Sequence, residues 1–142
     1  MKISTKGRYA LRMLIDLAEH QSTGYVSLKD IAKRQNISKK YLEQIVPILN
    51  KEKILKTNRG FQGGYMLAQT PEKYTIGEIL RMTEGSLCPV DYSTPTDGSS
   101  GEYAMLPVWQ ELDRAINSYL DSVTLQDVLD NLRDRYANDY II

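Results

Sequence analysis

The stretch SLKDIAKRQNISKKYLEQIVPILNKE, residues 27–52, decides the fold. Ser27 and Asp30 form an S-x-x-D capping box, the signature of a helix start, and Leu28, Ile31 and Ala32 then fall on one inward face. The tripeptide NIS interrupts, and Ser38 is placed to cap a second helix. Two short helices joined by so brief a turn make a helix-turn-helix. The second helix divides cleanly: Leu42, Ile45, Val46 and Leu49 supply a core face, while Ser38, Lys39, Lys40, Tyr41, Glu43 and Gln44 remain outside. Such side chains contact phosphates and base edges, glutamine pairing with adenine and glutamate accepting from cytosine. Pro47 removes a helical hydrogen bond and predicts a kink or an early break.

Downstream, ILKTN (54–58) and YMLAQ (65–69) read as short strands flanking RGFQGGY (59–65). A hairpin directly after a helix-turn-helix is a wing. Its glycines allow a tight tip and close backbone approach, and Arg59 at the base can reach a phosphate or a minor groove. The competing phosphate-loop reading fails, because Gly60, Gly63 and Gly64 fit neither glycine-rich nucleotide motif and a strand follows where a helix should. Upstream, TKGRYALRMLIDLAEH (5–20) carries apolar residues at helical spacing. His20 lies near the end of that helix, where its ring suits the exposed carbonyls.

The net charge of zero conceals an asymmetry. Residues 1–75 hold 14 Lys and Arg against 6 Asp and Glu, a net +8; residues 76–142 hold 4 against 12, a net −8. A basic half of this size points to a polyanion. No window approaches the roughly 18 apolar residues of a membrane span, and the N-terminal MKISTKGRYA lacks the apolar run of a secretory signal, so a cytoplasmic address with no membrane partner is expected. One cysteine, Cys88, and one histidine, His20, give no metal cage and no nucleophile–base pair, so the expectation is a non-enzyme.

MKISTKGRYAL at the N-terminus, YLEQ (41–44), RGFQGGY, TIGEILRMTEG (75–85) and TLQDVL (124–129), in this order, resemble the Rrf2 family of bacterial winged-helix transcription regulators over nearly the whole chain. The resemblance implies a homodimer that puts each second helix into a major groove of double-stranded DNA and each wing on the adjacent minor groove. Ser38, Tyr41, Glu43 and Gln44 would then face bases or nearby backbone, and Arg59 and Gly60 would sit at the wing contact. Lys6, Arg8, Lys39, Lys40 and Gln62 complete the candidate DNA-binding set.

In the acidic half, Thr75 and Glu78 make a capping box that opens a helix running up to Gly85. Residues 86–102, rich in Ser, Pro, Gly, Asp and Thr, read as a mobile loop. Met105, Trp109, Leu112, Ile116, Tyr119 or Leu120, and Val123 then recur as one helical stripe, with Pro107 in its first turn, and Thr124 and Asp127 cap a last helix. The resemblance implies dimerisation through this long helix, with Trp109, Leu112, Ile116 and Leu120 as the interface. Iron–sulfur members of the family carry three close cysteines in the loop; this chain has Cys88 alone, with Asp91, Asp97 and Glu102 nearby. No iron–sulfur cluster or other cofactor is therefore expected, as in the cluster-free branch that includes the cysteine-metabolism repressor, and a cysteine-biosynthesis enzyme becomes a candidate co-regulator.

The expected fold is mainly α with a small β-hairpin wing: a winged helix-turn-helix over 1–85, an effector-type loop over 86–102, and a dimerisation helix plus C-terminal helix over 103–142. The expected function is repression at a pseudo-palindromic operator. The alternatives are an iron–sulfur or thiol sensor using Cys88, and a winged-helix protein-interaction module.

Overall fold

The computed structural model describes residues 2–60, 63–92 and 98–141, with side chains described through residue 138. Helix α1 (Thr5–His20) begins at Ser4, whose side chain accepts from the Gly7 N–H. Its Ala10, Met13, Leu14 and Leu17 are fully buried and form the centre of the core. His20 ends the helix with Nδ1 donating to the Asp16 carbonyl at 2.9 Å, in the end-capping role expected of it.

Helix α2 (Leu28–Gln35) starts with Ser27 Oγ accepting from the Asp30 N–H and stops at Asn36, whose φ of 53° and ψ of 48° place it in the left-handed region. Ile37, buried in the turn, fixes the turn to the core. Ser38 Oγ then accepts from the Tyr41 N–H at 3.0 Å and opens α3 (Lys39–Lys51). Leu42, Ile45, Val46 and Leu49 bury the inner face of α3. The early break expected at Pro47 does not occur, and the helix continues to Lys51. Proline frees the carbonyl four residues back, on exposed Glu43, where water can satisfy it, while buried Val46 and Leu49 anchor the helix to the core on either side of Pro47.

Strands β1 (Leu55–Asn58) and β2 (Gly64–Leu67) pair antiparallel, Leu55 opposite Leu67 and Asn58 opposite Gly64. The hairpin is docked by Val26, which exchanges both backbone hydrogen bonds with Tyr65 at 2.9 and 2.8 Å. Here glycine is obligatory: a Cβ on Gly64 would lie 2.5 Å from the Val26 carbonyl oxygen, a backbone atom that cannot move aside. The second strand accordingly starts one residue before the stretch read from sequence.

Helix α4 (Ile76–Glu84) opens on the Thr75–Glu78 capping box in both directions. Helix α5 (Ser100–Ser122) begins within the segment read as loop, because Ser99 caps it with Glu102 at the reciprocal position. Pro107 is therefore interior rather than in the first turn, and the carbonyl it leaves free belongs to Tyr103, which is largely exposed. The first part of the expected mobile loop is also anchored, since Leu87 is buried in the core and Tyr92 Oη donates to Asp113 at 2.9 Å. Helix α6 (Leu125–Ile141) starts with reciprocal bonds between Thr124 and Asp127. Leu125 is fully buried in the same core as α1.

Candidate nucleic-acid interface

Two turns of α3 present one polar face. Ser38, Lys39, Lys40, Glu43 and Gln44 are all exposed, and Tyr41 is half-buried beside them. Among the described residues, the side chains of Lys39, Lys40, Glu43 and Gln44 have no hydrogen-bond or ion-pair partner, so they can engage an outside ligand without breaking anything. Across from them stands the wing. Its tip is shaped by Asn58 Oδ1 accepting from the Gly60 N–H at 3.0 Å and by the Gly60 carbonyl accepting from Gly63 at 2.8 Å. A cleft of about 510 Å³ separates wing from helix and brings Lys29, Lys39, Glu43 and Arg59 to one concave surface. Lys29 was not singled out in the sequence. Gln62 lies outside the described residues.

The start of α3 is held from below by residues that sequence reasoning missed. Tyr41 meets Tyr9 of α1 edge to face with ring centroids 5.4 Å apart, and the Arg12 guanidinium lies over the other ring at 5.2 Å. Arg12 also donates to the Gln35 side chain at 3.3 Å and to its backbone carbonyl. Gln35 in turn donates to Asp16 at 3.1 Å, and Arg34 grips the same carboxylate through Nε at 3.0 Å and Nη2 at 2.7 Å. Asp16 is fully buried, whereas the Arg34 side chain is 36% exposed. The Asp16 hydrogen bond holds the Arg34 guanidinium above its ordinary range. One signal pointed to this: Asp16 interrupts the apolar face of α1, and a buried carboxylate demands a cationic partner. The Tyr9–Tyr41 contact sets the first turn of α1, with exposed Lys6 and Arg8, beside the first turn of α3.

Helix α5 has no buried residue in the single chain. Its inner stripe, Leu106, Trp109, Asp113, Ile116, Leu120 and Val123, is half-buried, and Ile116, Leu120 and Val123 pack on the core. A second stripe, Met105, Val108, Leu112, Ala115 and Tyr119, alternates steps of three and four on the exposed side. Of Trp109, Leu112, Ile116 and Leu120, Leu112 is exposed and the other three are half-buried, Ile116 and Leu120 packing on the core.

Cys88 is half-buried, and its thiol donates to the Val90 carbonyl at 2.9 Å. Among the described residues, no three His, Cys, Asp or Glu side chains converge as metal ligands. Asp113, which lines the same cavity as Cys88, already accepts hydrogen bonds from Tyr92 and Asn117. An iron–sulfur cluster takes thiolates on both irons, and the described donor set offers one, Cys88.

A helix-turn-helix followed by a hairpin wing, with an uncommitted basic and amide-bearing face between them, defines a winged-helix DNA-binding protein. The chain belongs to the Rrf2 family, described as an iron-dependent transcriptional regulator, whose pattern matches residues 3–131. It is similar to the HTH-type transcriptional regulator CymR of Bacillus subtilis (strain 168), 41% identical over 128 residues that cover 90% of this chain and 89% of that protein. The structure of CymR, the global cysteine regulator of B. subtilis, matches with a TM-score of 0.80 at 39% identity, covering 92% of this chain and 98% of that one. The structure of T. potens IscR matches with a TM-score of 0.76 at 41% identity, covering 93% and 88%. The protein is a DNA-binding transcription regulator, and its relatives are regulators rather than enzymes.

Proposed function

We propose that the protein is a homodimeric repressor that binds a pseudo-palindromic operator without an iron–sulfur cluster. The observation that carries this reading is the free polar face of α3 set across a cleft from Arg59, on the half of the chain with net charge +8. Lys6, Arg8, Ser38, Lys39 and Lys40 would contact phosphates, releasing counterions and making affinity fall steeply with salt. Glu43 and Gln44 would read base edges, with Tyr41 at the groove wall, while Arg59 and Gly60 bring the wing to the minor groove. Residues 1–85 form the DNA-binding part, 86–102 the segment through which a signal enters, and 103–142 the dimerising part. The seam is the exposed outer stripe of α5 around Leu112. Among the described residues no helix is long and apolar enough to cross a membrane, in keeping with a cytoplasmic site of action.

Gln44→Ala is expected to relax preference at one base position by about 1–3 kcal/mol, whereas Lys40→Ala weakens all sequences nearly equally. Binding measured on operator and random duplexes separates the two. Equal losses on both for the glutamine variant would refute this assignment. A cysteine-biosynthesis enzyme is proposed as co-regulator on the likeness to a global cysteine regulator, a partner ruled out if the immobilised regulator retains none of it with or without substrate.

A further inference from the structure

A polar ladder runs along the seam between α4 and α5. Asp113, Asn117 and Asp121 stand one helical turn apart on α5, facing Arg81 of α4. Tyr92 Oη donates to Asp113 Oδ2 at 2.9 Å, and Asn117 Nδ2 donates to Asp113 Oδ1 at 2.8 Å. Asn117 Oδ1 accepts from Arg81 Nη2 at 2.7 Å and Nε at 3.2 Å, and the same Nη2 donates to Asp121 Oδ2 at 2.7 Å. Their mutual hydrogen bond raises Arg81 and lowers Asp121 relative to their ordinary ranges. The Arg81–Asp121 rung is therefore charged on both sides at neutral pH and weakens as pH falls through the depressed value of Asp121, while the rungs through Asn117 remain. Gly77 belongs to the same device, because a Cβ there would overlap Asp121 Oδ1. Its absence lets the carboxylate sit against the positive end of α4.

The apolar part of this seam, Ile116, Leu120 and Val123, holds the helices together. Ridge-into-groove packing restricts their angle to a few classes but leaves a scatter of about 15–20° within each. Directional polar contacts within such a seam fix register, as a single buried polar residue does in a coiled coil.

We infer that Arg81, Asn117 and Asp121 are positioning residues that set the angle of the dimerising helix to the DNA-binding part, and so the operator half-site spacing the protein accepts. The inference rests on the homodimer reading above. The 23 residues of α5 span about 34 Å at about 1.5 Å per residue. A rotation of about 10° over that arm moves its far end by roughly 6 Å, close to two base-pair steps of about 3.4 Å. Through Tyr92 the ladder also joins the loop bearing Cys88 to α4, giving that loop a physical route to the same angle.

The test uses duplexes in which the selected half-site is repeated with the spacer varied one base pair at a time. The wild type should favour one spacing by about tenfold or more over its neighbours, because a mismatched spacing must be met by deforming the DNA. Asn117→Leu, which keeps the branched shape but loses the polar atoms, and Arg81→Lys, which keeps charge but loses the two-pronged grip, should flatten that preference to about threefold or less. Affinity for a single half-site and the dimer mass should stay unchanged. An unchanged spacing profile in either variant, folded and dimeric, overturns the inference; if the leucine variant fails to fold, the lysine variant decides alone. A monomeric wild type, or one that binds one half-site as tightly as two, overturns the homodimer reading instead.

Discussion

Arg34→Met should lower the stability of the fold by about 3–5 kcal/mol, the cost of leaving a buried carboxylate without its cation. Asp16 is fully buried and would retain only Gln35 and, when protonated, His20, whose Nδ1 is 3.7 Å away. The pair is asymmetric. Asp16→Leu should cost less, because the freed guanidinium is already 36% exposed and can turn to water. The double change Asp16→Leu with Arg34→Met should cost less than the arginine change alone, since no charge is then stranded. Denaturant melts of the four proteins measure this directly. Additive losses would show that the ion pair is not the cause. Because Gln35 also holds Arg12, and Arg12 stacks on Tyr9 beneath Tyr41, the residual folded protein should bind DNA more weakly as well.

Leu112→Asp should leave the subunit folded and abolish the dimer. Leu112 is 38% exposed and belongs to the outer stripe of α5, so the subunit core loses nothing. In a two-fold pairing the substitution places two carboxylates in one apolar seam, where neither can be solvated. Operator affinity should fall by about 10²–10⁴, because the second half-site contact is no longer intramolecular. Mass measurement in solution and binding to a duplicated half-site give the two readouts. A dimer that persists would place the seam elsewhere.

The local parts of the fold were legible in the sequence because their causes are local. Ser38 before KKYL and the Thr75–Glu78 and Thr124–Asp127 pairs each announce a helix start within four residues, and the structure shows those bonds. The start of α5 was hidden although Ser99 and Glu102 form the same signature, because the surrounding Ser, Gly and Pro composition argues for loop. The two stripes of α5 interleave at equal spacing, so periodicity identifies both but cannot say which one meets the subunit's own core. Packing against α4 decides that Ile116 and Leu120 turn inward and Leu112 outward. In the Asp16–Arg34–Gln35 cluster the acid on the apolar face was legible and its partners were not. The cluster joins residues 18 and 19 positions apart, and which cation answers a buried acid is settled only when α2 docks on α1.

For the interface itself, the sequence supplied the residue types and the structure supplied their freedom: an exposed face on which Lys39, Lys40, Glu43 and Gln44 have no partner among the described residues, opposite a wing whose glycines are needed for docking and turning. The most direct test of that account is selection of bound duplexes from a random pool by the purified protein, followed by the same selection with Gln44→Ala. The account predicts an inverted repeat for the wild type and loss of preference at one symmetry-related pair of positions for the variant. Enrichment of no sequence, or of the same sequence by both proteins, would contradict it.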